Sequence, residues 1–196
     1  MIIANWKMNG SKELIKNWID VVSREIEINQ SKECIFCPPT CYLDFTGNLV
    51  RKTSKDIKLG SQHFDSDSLA PLTGGINSQM LVDIGCEFVI IGHSERREFF
   101  HEDNDLIRKK IHAVNASNLR PILCIGETKE ENKEGITKDV LKNQLEVIDG
   151  LDLSRDFTIA YEPVWAIGSG LTPEPKDINE IHKYIKDVVP VSYTHL

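Results

Sequence analysis

The sequence lacks any apolar run close to the ~20 residues that a helix needs to cross a bilayer. Positive charge is in short supply, since 23 Lys and Arg against 30 Asp and Glu give a formal net charge of −7. That balance argues against binding to nucleic acid or to an anionic membrane through bulk charge. Residues 1–7 show no basic region followed by an apolar stretch, so we expect no signal peptide and a cytoplasmic protein.

A composition of 40% apolar and 27% charged residues is that of an ordinary globular protein, which excludes disorder, collagen and coiled coil. The cysteine count is five, an odd number, which favours thiols in a reducing compartment over a disulfide framework. Cys34 and Cys37 have the spacing of a redox pair or of half a zinc site. They lie in an apolar run typical of a strand, where positions three apart face opposite ways, so we expect buried small hydrophobes instead.

Short apolar runs alternate with longer amphipathic segments along the chain. We predict strands at 1–6, 34–37, 57–61, 88–91, 121–125 and 157–161, and helices near 11–27, 41–52, 77–85, 103–117, 137–148 and 177–188. A strand with its crossover helix takes roughly 30 residues, so the pattern predicts six parallel βα units. Periodicity leaves two architectures open, a doubly wound open sheet and part of an eight-stranded barrel, which needs about 250 residues when complete.

Polar residues follow several predicted strands, where parallel α/β proteins collect their chemistry. Asn5 and Lys7 share one side of the chain end, His93 stands beside a helix that we expect to start near Ser94 with Ser94 as its cap, and Glu162 ends an apolar strand. The helix dipole favours a neutral imidazole at His93, and a partly desolvated Glu162 could act as a general base. Each residue alone is also consistent with a structural role: a surface lysine, an incidental histidine, a salt-bridged glutamate.

A loop follows Glu162 directly. Residues 164–170 combine an apolar tip with two glycines, which is unusual for an exposed loop unless it sometimes covers something, and glycines let a backbone approach an anion closely. The alternative is an interface loop or a simple turn.

Taken together and in order, the segments Asn-Trp-Lys-Met-Asn at 5–9, Ile-Gly-His-Ser-Glu-Arg-Arg at 91–97 and Ala-Tyr-Glu-Pro-Val-Trp-Ala-Ile-Gly at 160–168 resemble the signature segments of the triosephosphate isomerase family. The resemblance implies an α/β fold, a TIM (β/α)8 barrel that is incomplete here, with six parallel βα units and the last two missing. It implies one domain over residues 1–189. Pro190 breaks the last helix, and we expect residues 190–196 to be a tail foreign to the family.

The resemblance also implies an activity, the interconversion of dihydroxyacetone phosphate and glyceraldehyde 3-phosphate in glycolysis and gluconeogenesis, without cofactor or metal. Glu162 would move the proton between carbons, neutral His93 would polarise the carbonyl, Lys7 would offset negative charge, and Glu95 would be a further polar participant. Substrate would be held by Asn5, Lys7, Gly168 and Ser169. The lid would be Pro163, Val164, Trp165, Ala166, Ile167, Gly168, Ser169, Gly170, Leu171, Thr172 and Pro173.

The stretch from 62 to 80 resembles the family's long third loop, which enters a partner subunit, so a homodimer is implied. We expect Pro71, Thr73, Gly74 and Gly75 to form its tip. Gly75 stands where the family usually has Glu, and Pro173 should stiffen the far end of the lid. Two alternatives remain: a catalytically inactive fragment lacking the phosphate loops after strands seven and eight, and a barrel enzyme acting on another sugar phosphate.

Overall fold

The computed structural model of the chain describes residues 1–25, 34–53, 56–66, 71–151, 157–189 and 194–195. These residues form two compact units, the first comprising 1–90 and 113–120 and the second 91–112 and the described residues from 121 onward. The prediction of one domain over 1–189 stays a prediction. No helix among the described residues is both long and apolar enough to span a membrane.

Strands and helices alternate in both units. The strands are β1 (Ile2–Asn5), β2 (Cys34–Cys37), β3 (Ile57–Ser61), β4 (Phe88–Ile91), β5 (Arg120–Ile125), β6 (Phe157–Tyr161) and the two-residue β7 (Thr194–His195). The helices are α1 (Lys12–Glu25), α2 (Leu43–Thr53), α3 (Ser78–Asp83), α4 (Ser94–Phe100), α5 (Asn104–Asn115), α6 (Lys129–Lys133), α7 (Thr137–Leu145) and α8 (Pro175–Val188). All six predicted strands are confirmed.

Strands in the first unit pair in parallel in the order β1-β2-β3-β4, with Ile2 opposite Cys34 and Gly60 opposite Phe88. Residues of β2 are buried on both faces, as parallel strands covered by helices require. Helix α1 packs Ile15, Ile19 and Val22 into the core beside Phe36. Asn5 is the last residue of β1, and Lys7 lies two residues beyond it.

Strands in the second unit pair in parallel in the order β5-β6-β7, with Ile125 opposite Tyr161 and Thr158 opposite His195. The expectation that residues 190–196 are foreign to the family stays a prediction, and 190–193 and 196 lie outside the described residues. Leu141 and Leu145 of α7 are buried, as is Ile185 of α8. Residues 126–127 and 162–164 extend beyond the ends of β5 and β6.

Candidate active site

His93 and Glu162 come from different strand ends of the second unit and meet. His93 follows β4, Glu162 follows β6, and the imidazole Nε2 lies 3.4 Å from the carboxylate Oε2. The His93 side chain is 6% exposed and that of Glu162 34%, so the pair is shielded while the carboxylate stays accessible. Two residues 69 positions apart in the sequence, singled out separately, are therefore neighbours.

Hydrogen bonding fixes the tautomer of His93. Its Nδ1 accepts the backbone N–H of Glu95 at 3.2 Å, which makes His93 itself the N-cap of α4. A nitrogen that accepts an N–H carries no proton, so the neutral ring has its proton on Nε2, the atom nearest Glu162. The helix begins at Ser94 as expected, but the expectation of Ser94 as the cap is wrong, because imidazole accepts the bond that a serine hydroxyl usually takes.

Glu95 lies close to the same ring. Its Oε2 is 3.6 Å from His93 Nδ1, with a side chain 44% exposed. Because the Glu95 backbone already occupies the Nδ1 lone pair, the carboxylate acts on the imidazole as a nearby charge.

Glu162 is anchored through its backbone and leaves its carboxylate open. Its N–H donates to the carbonyl of Ile125 at 2.8 Å, continuing the β5–β6 pairing past both strands. Among the described residues none donates a hydrogen bond to its buried Oε2. A carboxylate with open lone pairs at a wall of a cavity of about 420 Å³ has the properties of a general base.

That cavity lies in the second unit, and Arg97 and Gln144 also line it. The Arg97 guanidinium donates to the carbonyl of Gly92 and to Asn104 Oδ1. Burial lowers the pKa of Arg97 from its usual value, the charges of Cys124 and Glu102 acting in the opposite direction. The cavity is therefore lined by both a cation and a carboxylate.

The segment expected to form the lid, residues 163–173, is bonded near its start to a buried carboxylate. Residues 164–166 form a short 3-10 helix, and the indole Nε1 of Trp165 donates to Glu127 Oε1 at 2.8 Å. Glu127 is 0% exposed and also accepts from Tyr161 Oη at 3.0 Å and from Asn132 Nδ2 at 3.1 Å. Burial first, and then the Glu127 carboxylate, raise the pKa of Tyr161, which keeps the phenol protonated and donating.

Glu127 is a residue that sequence reasoning missed. Residues 127–142 contain so many charges that the pattern favours a solvated loop and helix face, which is wrong at Glu127. Two of its donors, Tyr161 and Trp165, lie 34 and 38 residues away, so no local signal marks it. The residues next to Glu127 do carry a local signal, since Thr128 and Glu131 form a capping box, which marks the start of α6.

Residues 168–172, in the second half of the expected lid, are exposed. Gly168 and Gly170 have φ of +66° and +74°, a left-handed region that glycine adopts without strain. Ser169 Oγ accepts the backbone N–H of Leu171 at 3.1 Å. Anion binding by Gly168 and Ser169, and stiffening by Pro173, stay predictions.

Asn5 and Lys7 belong to the first unit. Lys7 has φ of +49°, a strained conformation for a residue with a side chain. Two side chains hold it there: Asn5 Oδ1 accepts the Lys7 N–H at 3.0 Å, and Gln62 Nε2 donates to the Lys7 carbonyl at 3.0 Å. Strain maintained by two partners is typical of a residue whose side chain must be aimed.

The stretch from 62 to 80, expected to contact a partner subunit, is described except for residues 67–70. Asp65 and Ile76 join the two sides of this loop. The Asp65 N–H donates to the carbonyl of Ile76, and Asp65 Oδ2 accepts the Ile76 N–H at 2.9 Å. Leu72 at the tip is 55% exposed. A Cβ at Gly75 would lie 3.2 Å from Asp65 Oδ2, so an acid at 75 would be crowded against a carboxylate that already holds the loop.

Four of the five cysteines, Cys34, Cys37, Cys86 and Cys124, are buried, and Cys41 is exposed. Burial raises the pKa of Cys34 and Cys37, and that of Cys86 to about 12, which keeps these thiols protonated and weakly nucleophilic. In the part of the chain that the structure describes, no cluster of three or more His, Cys, Asp or Glu could hold a metal ion.

Comparison with known proteins gives a consistent result. The family model described as triosephosphate isomerase matches residues 1–195. A triosephosphate isomerase of Aquifex aeolicus is 40% identical over 191 residues, covering 96% of this chain and 76% of the relative. One of Buchnera aphidicola is 40% identical over 200 residues, covering 100% of this chain and 78% of the relative. One of Rhodopirellula baltica is 38% identical over 196 residues, covering 96% and 75%. These matches confirm the predicted fold class, an incomplete TIM barrel.

Proposed function

We propose, because this chain belongs to the triosephosphate isomerase family, that it interconverts dihydroxyacetone phosphate and glyceraldehyde 3-phosphate with Glu162 as the base. The observation that carries the proposal is the 3.4 Å separation of His93 Nε2 and Glu162 Oε2, with His93 Nδ1 already engaged by a backbone N–H. A base and a neutral donor side by side suit transfer of a proton next to a carbonyl. The inactive-fragment alternative is not favoured, since the matched relatives bear the name of an enzyme.

The proton moves by general acid–base chemistry. Glu162 takes a proton from the carbon beside the carbonyl, and the electron pair left behind develops negative charge on the carbonyl oxygen as an enediolate. The Nε2–H of His93 donates to that oxygen. That oxygen takes the Nε2 proton, and Nε2 takes the proton of the neighbouring hydroxyl in its place, so that this hydroxyl becomes the new carbonyl. Glu162 then returns its proton to the former carbonyl carbon, and the net change is isomerisation with no atom gained or lost.

Charge and binding come from the remaining expected residues. Lys7 offers an ammonium group that offsets the enediolate and phosphate charges. Asn5 binds through its amide nitrogen, since its oxygen accepts the Lys7 N–H. Gly168 and Ser169 offer a backbone N–H and a hydroxyl to the phosphate, and Glu95 adjusts the charge around His93.

The lid, 163–173, excludes water from the enediolate when it closes, which strengthens every electrostatic contact beneath it. The tip containing Pro71, Thr73, Gly74 and Gly75 docks on a second copy of the chain to form a homodimer. A cytoplasmic location suits the free thiols of Cys34, Cys37, Cys41 and Cys86.

Replacing the base tests the proposal. Glu162→Gln keeps the size of the side chain and removes the proton acceptor, so kcat for both triose phosphates should fall at least about a hundredfold. Glu174→Gln, at an exposed position at the start of α8, is the matched control and should retain kcat within about twofold.

Near-unchanged turnover in Glu162→Gln would refute the assignment of the base. Activity of the unmodified chain on another sugar phosphate, with none on triose phosphates, would instead favour a different barrel enzyme. The assay therefore includes a second sugar phosphate as substrate.

A further inference from the structure

Gln144 of α7 makes an unusual contact with the backbone beyond β5. Its Oε1 accepts the N–H of Gly126 at 2.9 Å, and its Nε2 donates to the carbonyl of the same residue at 3.0 Å. One side-chain amide thus satisfies both polar groups of a single residue, which fixes both peptide groups beside it.

Gly126 in turn lies against the backbone of Glu162. A Cβ built on Gly126 would collide with the carbonyl oxygen of Glu162 and would stand 2.7 Å from its carbonyl carbon. Only glycine allows this approach, so any movement of the Gly126 backbone toward β6 pushes directly on Glu162.

The flanking hydrogen bonds leave little room for that movement to be absorbed. Glu162 N–H donates to Ile125 O at 2.8 Å, and Val164 N–H donates to Glu127 O at 3.0 Å. Residues 125–127 and 162–164 therefore form one ladder with Gly126 at its centre. Gln144, on α7, is the side chain that hydrogen-bonds Gly126 in this ladder.

The helix does not need Gln144 in order to pack. Leu141 is 0% exposed and Leu145 2%, so α7 is anchored by apolar contacts on either side of the glutamine. A half-buried glutamine that places its whole amide on the residue touching Glu162 indicates a role beyond stability.

We infer that Gln144 is a positioning residue for proton transfer: through Gly126 it sets where the Glu162 carboxylate stands relative to His93 and the substrate carbon. The inference rests on the proposed role of Glu162 as the base. Base catalysis depends steeply on the distance to the reacting carbon, while substrate binding depends on other groups. Loss of the two hydrogen bonds between Gln144 and Gly126 should therefore lower kcat and leave KM almost unchanged.

The decisive variant is Gln144→Met, which keeps a similar side-chain volume and removes both hydrogen bonds. We expect kcat to fall about tenfold or more, with KM within about twofold. The isotope effect on kcat should rise for substrate deuterated at the carbon that loses the proton, because a displaced base makes proton transfer slower relative to the other steps.

Asn143→Ala is the matched control, since the neighbouring amide bonds Asn104 instead, and it should leave kcat, KM and the isotope effect within about twofold. A Gln144→Met enzyme with the kinetics of Asn143→Ala overturns the inference.

A measurement on the unmodified full chain covers the case in which Gln144→Met does not fold. Amide hydrogen exchange should protect Gly126, beyond the end of β5, as strongly as Leu123 within β5. Rapid exchange at Gly126 overturns the inference. These outcomes differ from failure of the proposed function. If Glu162→Gln retains turnover, the base is misassigned. If Glu162→Gln is inactive and Gln144→Met has normal kinetics, the base is correctly assigned and only the positioning role of Gln144 is refuted.

Discussion

Glu102 is a buried carboxylate that binds a residue of α4, the helix whose N-cap is His93. Its Oε1 accepts from Arg96 Nε at 2.6 Å and from Lys110 Nζ at 2.7 Å, and its side chain is 4% exposed. Burial alone would raise the pKa of Glu102. The hydrogen bonds and charges of Lys110 and Arg96 outweigh burial and lower it below its usual value of 4.5. Helix α4 is thereby tied to α5.

Glu102 should make stability depend on pH on the acid side. Because its folded-state pKa is lowered, its stabilisation is fully present above the unfolded value of 4.5 and disappears as pH falls through the folded value. Glu102→Gln should lower the free energy of unfolding by about 3 kcal/mol at pH 7, since the buried Lys110 and the half-buried Arg96 lose their charged partner. The difference from the unmodified protein should shrink below pH 4.5. Urea unfolding at pH 7 and pH 3.5 measures both.

Glu98→Gln is the control for that experiment, because Glu98 is exposed on the same helix. A constant difference between Glu102→Gln and the unmodified protein across the pH range would contradict the reasoning. The sign of the pH dependence, rather than its size, is the discriminating result.

At the scale of elements, the apolar strands were predictable and the contacts at their ends were not. β2, β3, β4 and β6 have the predicted bounds, because apolar runs of four or five residues that alternate with amphipathic segments are typical of buried parallel strands. Helix α8 begins at Pro175 rather than 177, since proline is favoured at the first helical position. The extended pairing of 125–127 with 162–164 depends on chain segments far apart in sequence, so no local pattern contains it.

The segment proposed as the lid also makes a contact between residues distant in sequence, since Trp165 donates to Glu127. Glu127→Gln should weaken the anchor, because a neutral amide accepts more weakly than a carboxylate and places an N–H₂ group among the donors Tyr161, Trp165 and Asn132. We expect kcat/KM to fall about five- to tenfold, measured with triose phosphate. Glu130→Gln, exposed on α6, should match the unmodified protein. Equal kinetics in the two variants would show that the carboxylate does not support the lid.

At the scale of the whole molecule, the site was predictable as far as motifs reach. His93 and Glu162 were identified from segments 69 residues apart and are in contact, since parallel strands end at one edge. Gln144 and Glu127 were not, because a glutamine on an amphipathic helix and a glutamate in a charged run look like solvated residues until their distant partners are known.

Assembly gives a prediction of its own. The chain has a mass of 22.2 kDa, and we expect sedimentation equilibrium at micromolar concentration to give about twice that value. Leu72→Glu places a charge on the exposed tip and should shift the protein toward the monomer and lower its activity. Val21→Glu, at an exposed position of α1, should stay dimeric. A monomeric unmodified protein with full activity would refute the proposed assembly.

The left-handed backbone of Lys7 has an evolutionary consequence. Holding a lysine at φ +49° costs about 1–3 kcal/mol, whereas glycine at the same place would cost almost nothing. Under the role proposed for Lys7, selection on turnover opposes that replacement, so descendants that lose the activity are free to change to glycine there. We therefore expect position 7 to be a marker in newly sequenced relatives: active isomerases should retain the lysine, and glycine should occur in relatives that have lost the activity.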